Sequence, residues 1–175
     1  MATYKKGFKK QNTETVLLKV IIGIIVAVFG LVAIAFIYDA ATQWKDYSYY
    51  TTITEYDGIL EYTNGGDEAL QDYVVYFYAD DCSNCATIKN TALKDGNKLN
   101  KNEELFFIAD TGNMNDETEN FPAFLDSVDL SSTEFGTPAL LIVVDGEFYG
   151  IYVGASEVTG AFDLLLNDEI PGFDR

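Results

Sequence analysis

Cys82 and Cys85 are the only cysteines in the chain, and Ser83 and Asn84 hold them three positions apart. They follow directly on the apolar run Val74-Val75-Tyr76-Phe77-Tyr78 and precede a helix-compatible stretch. A CxxC pair where a strand passes into a helix is the arrangement that dithiol–disulfide chemistry needs. Spaced i, i+3 on a first helical turn, the two Cα atoms lie within the separation a disulfide spans. The first sulfur meets solvent and the unpaired N–H groups of the helix start, which favour a thiolate. The second turns toward the helix–sheet packing, ready to attack a mixed disulfide. The chemistry these residues point to is disulfide exchange.

Other uses of two cysteines fit less well. A closed zinc site takes four ligands, and the chain has no histidine and no third cysteine. A purely structural disulfide closing so short a loop constrains the unfolded chain very little. An acidic group, Asp110, Asn113, Asn115, Asp116 and Glu117, brings calcium to mind. It lacks the glycine and the terminal glutamate of a calcium loop, so no metal is expected.

The elements that must position the cysteines are legible from patterning. Tyr73–Tyr78 has the continuous apolar and aromatic composition of a strand buried on both faces. Cys85, Ile88, Ala92 and Leu99 then share one helical face. Residues 105–109 form a second buried strand, ended by Asp110-Thr111-Gly112, and residues 117–128 a weaker helix with Pro122 at an early position. Ala139–Val144 is a third strand, Asp145-Gly146 a hairpin turn, and residues 148–153 the antiparallel return. A helix over 156–167 closes the chain, with Val158, Phe162, Leu165 and Leu166 facing inward. A first helix is expected over 54–62, ended by Asn64-Gly65-Gly66. Strands alternating with helices and then an antiparallel pair predict a mixed α/β sheet flanked by helices, in one domain.

Upstream, residues 20–38 carry no charge over nineteen positions, enough to span the ~30 Å hydrocarbon core as a helix. Lys5, Lys6, Lys9, Lys10 and Lys19 precede this segment against the single acid Glu14, so the N-terminus is expected in the cytoplasm and the rest outside. Ala33-Ile34-Ala35 has a signal-peptidase pattern, but it lies inside the apolar stretch, which exceeds a signal h-region. An uncleaved anchor is therefore expected. The division is a basic cytoplasmic tail over 1–19, a transmembrane helix over 20–38, a juxtamembrane linker over 39–53 and a globular domain over 54–175. Tyr38, Trp44, Tyr47, Tyr49 and Tyr50 are expected as an interfacial aromatic belt. Of 11 basic and 28 acidic residues, five and one lie in the tail, leaving six against twenty-seven, or −21, beyond it. That balance argues against nucleic acid or an anionic membrane surface as a partner. It also serves solubility.

The order of elements, with Cys82-Ser83-Asn84-Cys85 and Gly136-Thr137-Pro138-Ala139 where they stand, resembles the thioredoxin-like superfamily over roughly residues 54–167. The resemblance implies that Pro138 is cis and lies against the active disulfide, with Thr137 and Pro138 shaping a groove for an extended substrate. It also shows departures. Asp81 stands where thioredoxins have tryptophan, and Ser83-Asn84 replaces Gly-Pro. Tyr76 and Phe106 take the places of a buried aspartate and its lysine partner, so the internal proton relay is expected to be absent. Among relatives the pattern is closer to membrane-anchored extracytoplasmic proteins of Gram-positive bacteria.

On this reading Cys82 is the nucleophile and Cys85 the resolving cysteine, with Asp81, Ser83 and Asn84 modulating them. No cofactor is needed, because the disulfide itself stores the electrons. The partners are cysteine-containing extracytoplasmic proteins and a membrane redox protein that recharges the pair. An oxidising compartment leans toward oxidase duty, while the absence of a histidine between the cysteines removes one device of strong oxidants. The alternative is a non-catalytic thioredoxin-like subunit of a surface or peptide/bacteriocin export complex.

Overall fold

The computed structural model describes residues 13–114 and 120–175, in two units divided between Thr42 and Gln43. In the first unit α1 (Thr13–Thr42) is a single helix of 30 residues with its apolar side chains exposed. At 1.5 Å per residue it is about 45 Å long, which extends the expected 20–38 span at both ends. It is the one described helix long and apolar enough to cross a membrane, a test that a signal sequence also passes.

The second unit is built on a five-stranded sheet in the order β1-β3-β2-β4-β5. The strands are β1 (Thr52–Ile53), β2 (Tyr73–Tyr78), β3 (Phe106–Asp110), β4 (Ala139–Val144) and β5 (Glu147–Val153). β1 and β2 run parallel to β3, and β4 pairs antiparallel with β2 and β5. Every residue of β2, β3 and β4 is buried, which explains their unbroken apolar runs. Alternation sorts the side chains into two cores. Val74, Tyr76 and Tyr78 join the cluster under α2 (Ser83–Leu99) and α4 (Ala155–Leu166). Tyr73, Val75 and Phe77 join the other, with Phe124 and Leu125 of α3 (Asn120–Ser127). A parallel β-α-β unit followed by an antiparallel hairpin and a closing helix on one mixed sheet is the thioredoxin-like arrangement that the motifs imply. The hairpin turn has Asp145 and Gly146 both at positive φ, 52° and 74°, as a primed two-residue turn requires.

Two contacts fix α2 on the sheet. Gly96 lies so close to Phe106 that a Cβ there would stand 2.4 Å from ring atom Cδ1. The Tyr50 hydroxyl has the Leu93 carbonyl oxygen at 2.6 Å and that of Trp44 at 3.0 Å as acceptors for its one proton, the Leu93 contact being the shorter. Past the helix, the Asn100 amide oxygen accepts from the N–H groups of Leu105 and Phe106 at 3.0 and 2.7 Å. The Phe106 N–H is a donor on the side of β3 that the two-residue β1 does not reach, and the Asn100 amide nitrogen also donates to the Phe106 carbonyl at 3.4 Å.

Three sequence expectations change. Residues 43–53 are not merely a linker: two 3-10 turns (Gln43–Lys45, Tyr47–Tyr49) lead into β1. Within this segment Tyr50 is buried, and Trp44 and Tyr47 pack on the core, so these three serve the domain rather than an interfacial belt. Residues 54–62 hold one 3-10 turn, Ile59–Glu61, because Gly58 at φ 66° takes the left-handed conformation that ends a helix. The turn after it is present, with Asn64 and Gly65 at φ 45° and 77°. The third helix begins, as described, at Asn120, and the part of the expectation over 117–119 lies outside the described residues.

Candidate redox site at the start of α2

Cys82 is the N-cap of α2, with extended backbone (φ −81°, ψ 107°), and its sulfur accepts the Cys85 N–H at 3.0 Å. The sulfur thus takes the place that a serine or aspartate oxygen usually has at a helix start. The same turn closes the Cys82–Cys85 disulfide, with a Cα–Cα distance of 5.2 Å and an S–S distance of 2.17 Å. The two sulfurs differ in access. Cys82 is half-buried, whereas Cys85 is 1% exposed and part of the α2/α4 core.

A second segment meets the first sulfur. The Thr137 carbonyl oxygen lies 3.3 Å from Cys82 Sγ, and the Thr137–Pro138 bond is cis. Gly154 N–H donates to the Pro138 carbonyl at 2.7 Å, which fastens the start of α4 to the same segment. Cys82, Cys85, Thr137 and Pro138 are therefore together, Pro138 buried and Thr137 half-buried. Asp81, Ser83 and Asn84 form the exposed rim. The Ser83 carbonyl accepts the Thr87 hydroxyl at 3.0 Å, a bond within the helix. Asp81 and its neighbour Asp80 are exposed and enter no side-chain hydrogen bond or ion pair among the described residues.

Aromatic side chains back the site. The rings of Tyr47 and Tyr78 stack at 3.7 Å, and Lys89 Nζ lies 4.2 Å above the Tyr47 ring. Burial pushes the Tyr78 phenol up to about 12, with Asp110 and Asp80 adding to it. Tyr76 is fully buried, and its hydroxyl is the one buried side-chain polar atom among the described residues without a hydrogen bond. Burial raises it far above the ordinary phenol range, and the Tyr47 phenol is the polar group that approaches it. A group so hard to ionise does not replace a carboxylate base. The sequence points to Tyr47 only as an interfacial ring and does not point to Gly154. Tyr47 carries no signal distinguishing a packed ring from an interfacial one, and Gly154 lies in no motif.

Of the acidic group weighed for calcium, Asp110 accepts from Gly112 N–H at 3.0 Å and from the Asn113 amide at 2.6 Å. Asn115, Asp116 and Glu117 lie outside the described residues.

No family model matches the chain. No curated protein matches it either. Solved structures do. The oxidised mitochondrial thioredoxin 3 of Saccharomyces cerevisiae is 17% identical over 70% of this chain and 97% of that one, with a TM-score of 0.47. Thioredoxin f2 of Chlamydomonas reinhardtii is 16% identical over the same shares, at 0.46. Thioredoxin of Trypanosoma brucei brucei is 20% identical over 57% of this chain and 74% of that one, at 0.41. These are likenesses of fold at a distance, and the fold assignment stands on the strand order and the placement of the disulfide.

Proposed function

We propose that the chain is a membrane-anchored thiol–disulfide oxidoreductase whose 43–175 domain works outside the cytoplasm on cysteine-containing proteins. The observation that carries this is the asymmetric disulfide, with Cys82 half-exposed at a helix start and Cys85 buried behind it. In the oxidising direction a substrate thiolate attacks Cys82 Sγ, a mixed disulfide forms, and Cys85 leaves as thiolate. A second substrate thiolate then attacks the substrate sulfur of the mixed disulfide and releases Cys82. Two electrons pass to the protein, and a membrane redox partner removes them. The Cys85 N–H that already points at Cys82 Sγ stabilises that sulfur when it carries charge. Thr137 and Pro138 border the groove where an extended substrate lies.

The full chain in a neutral detergent tests the chemistry: it should reduce insulin or oxidise a dithiol peptide, and Cys82→Ser should abolish turnover. A reduction potential near −120 mV marks an oxidant and one near −270 mV a reductant. A non-catalytic subunit of a surface or export complex is the second reading, favoured by Tyr76 and Phe106 in place of a proton-relay pair. On that reading the wild type gives no turnover and Cys82→Ser changes nothing. The anchor has its own test. The mature protein should begin near Met1, stay with membranes in high salt and expose the domain to protease added outside cells. A soluble form starting near Asp39 or Ala41 would mean that α1 is a cleaved signal.

A further inference from the structure

We infer that this site, read as above as a disulfide-exchange site, selects polypeptides that carry positive charge beside the reacting cysteine. Two segments border Cys82: residues 80–84 and the cis-proline segment, whose Pro138 carbonyl accepts the Gly154 N–H just before α4. Asp80 and Asp81 stand on the first, exposed and without an ion pair among the described residues. The domain's cations offset them only in part. Lys98 pairs with Asp95 and Arg175 with Asp168, and Lys45 lies over the Trp44 ring; Lys89, over the Tyr47 ring, is the one cation on this side, and Asp46 shares it with Asp80. Lys94 lies in the second half of α2 and Lys101 beyond its end, away from the cysteines at its start.

Solubility does not explain carboxylates at this place. Two acids directly before the exposed cysteine oppose its thiolate, a cost that acids elsewhere on the surface avoid. Their placement is explained if the incoming chain neutralises them. In an extended peptide a lysine two residues from the cysteine is about 7 Å away. That is within the screening length of about 8–10 Å at ordinary salt. A cationic substrate therefore gains attraction during approach and lifts the local obstacle to the Cys82 thiolate. An anionic one meets repulsion at the same point.

The test uses the reduced full chain in neutral detergent with three disulfide-linked peptides, identical except for lysine, serine or glutamate flanking the cysteine. The Cys82 thiolate attacks the peptide disulfide and releases one peptide thiol. Cys85 then displaces the second, closing Cys82–Cys85 as the peptide disulfide is reduced. At low salt the lysine peptide should react about tenfold faster than the glutamate peptide, the low end of electrostatic steering. The ratio should fall toward one near 1 M salt and in Asp80→Asn/Asp81→Asn. Reading a ratio cancels any common change in Cys82 reactivity. Glu103→Gln, past the opposite end of α2, should leave it unchanged. Equal rates for all three peptides, or a preference that survives the double substitution, overturn the inference. Failure with every peptide, the serine one included, both here and when the oxidised chain meets the matching peptide thiols, overturns the exchange reading and this inference with it.

Discussion

Replacing Gly96 by alanine should destabilise the domain, although helix propensity alone predicts the reverse. Gly96 is buried within α2, where Ala is favoured over Gly by about 1 kcal/mol. Against that gain, the new methyl would sit 2.4, 2.5 and 2.6 Å from three atoms of the Phe106 ring. That ring is fully buried and cannot retreat: Tyr50 meets it edge-on at 5.0 Å, Phe162 at 5.9 Å and Tyr76 is stacked at 6.4 Å. Overpacking a filled site costs about 1–3 kcal/mol, and a ring held on these sides belongs at the upper end. The net loss is then about 2 kcal/mol, or roughly 6–10 °C in Tm for a domain of this size. Thermal unfolding of the full chain in detergent, followed by near-ultraviolet circular dichroism, measures it. Gly96→Ala should be much less harmful in a Phe106→Leu background, with a coupling of at least about 1 kcal/mol. A Gly96→Ala protein as stable as the wild type or more so, or costs that simply add, would refute the contact as the cause.

Further outcomes follow from the same geometry. Alkylation of the reduced protein at neutral pH should label Cys82 well before the buried Cys85, and Asp81→Asn should speed it; peptide mapping over time reads both. Tyr50→Phe should cost about 1 kcal/mol in a denaturant titration, since it removes the one proton offered to the Leu93 and Trp44 carbonyls. Tyr73 and Tyr78 are pushed up to about 12 by burial, from an ordinary value near 10. Because the folded form resists losing these protons, their stabilising contribution is whole below pH 10 and is lost as pH rises toward 12. Absorbance titration should show exposed tyrosines ionising first and the buried ones only with cooperative alkaline unfolding. A single smooth titration of all tyrosines would contradict it.

The elements around the cysteines were legible because their signals are strong and local. The apolar run of β2, the CxxC spacing, the Asp-Gly turn and the inner face of α4 each specify one conformation. The carboxylate rim was visible too, as two aspartates beside a cysteine. What escaped was short or depended on distant partners. Two residues, Thr52 and Ile53, give no alternation, so β1 is defined only by pairing with Ile108 and Ala109. Tyr47 and Tyr50 are amphipathic rings that suit a membrane interface as well as a core, and only Tyr78, Leu93 and Phe106 decide between them. Over 54–62 the apolar residues suit a helix, but Gly58 at positive φ turns the chain before Ile59. Gly154 escaped because its role is a single bond to a carbonyl sixteen positions earlier.

The Asn100 side chain has a consequence for how copies of this protein tolerate one another. A strand with free N–H groups along its outer side is a template for another chain's strand, and β1 shields only part of β3. One amide closes the gap: its oxygen accepts the Phe106 N–H and its nitrogen donates to the Phe106 carbonyl, as a neighbouring strand's backbone would. Crowding chains side by side raises the chance that bare edges meet and stack. With Asn100 in place, Phe106 offers no free backbone group for another chain's strand to pair with.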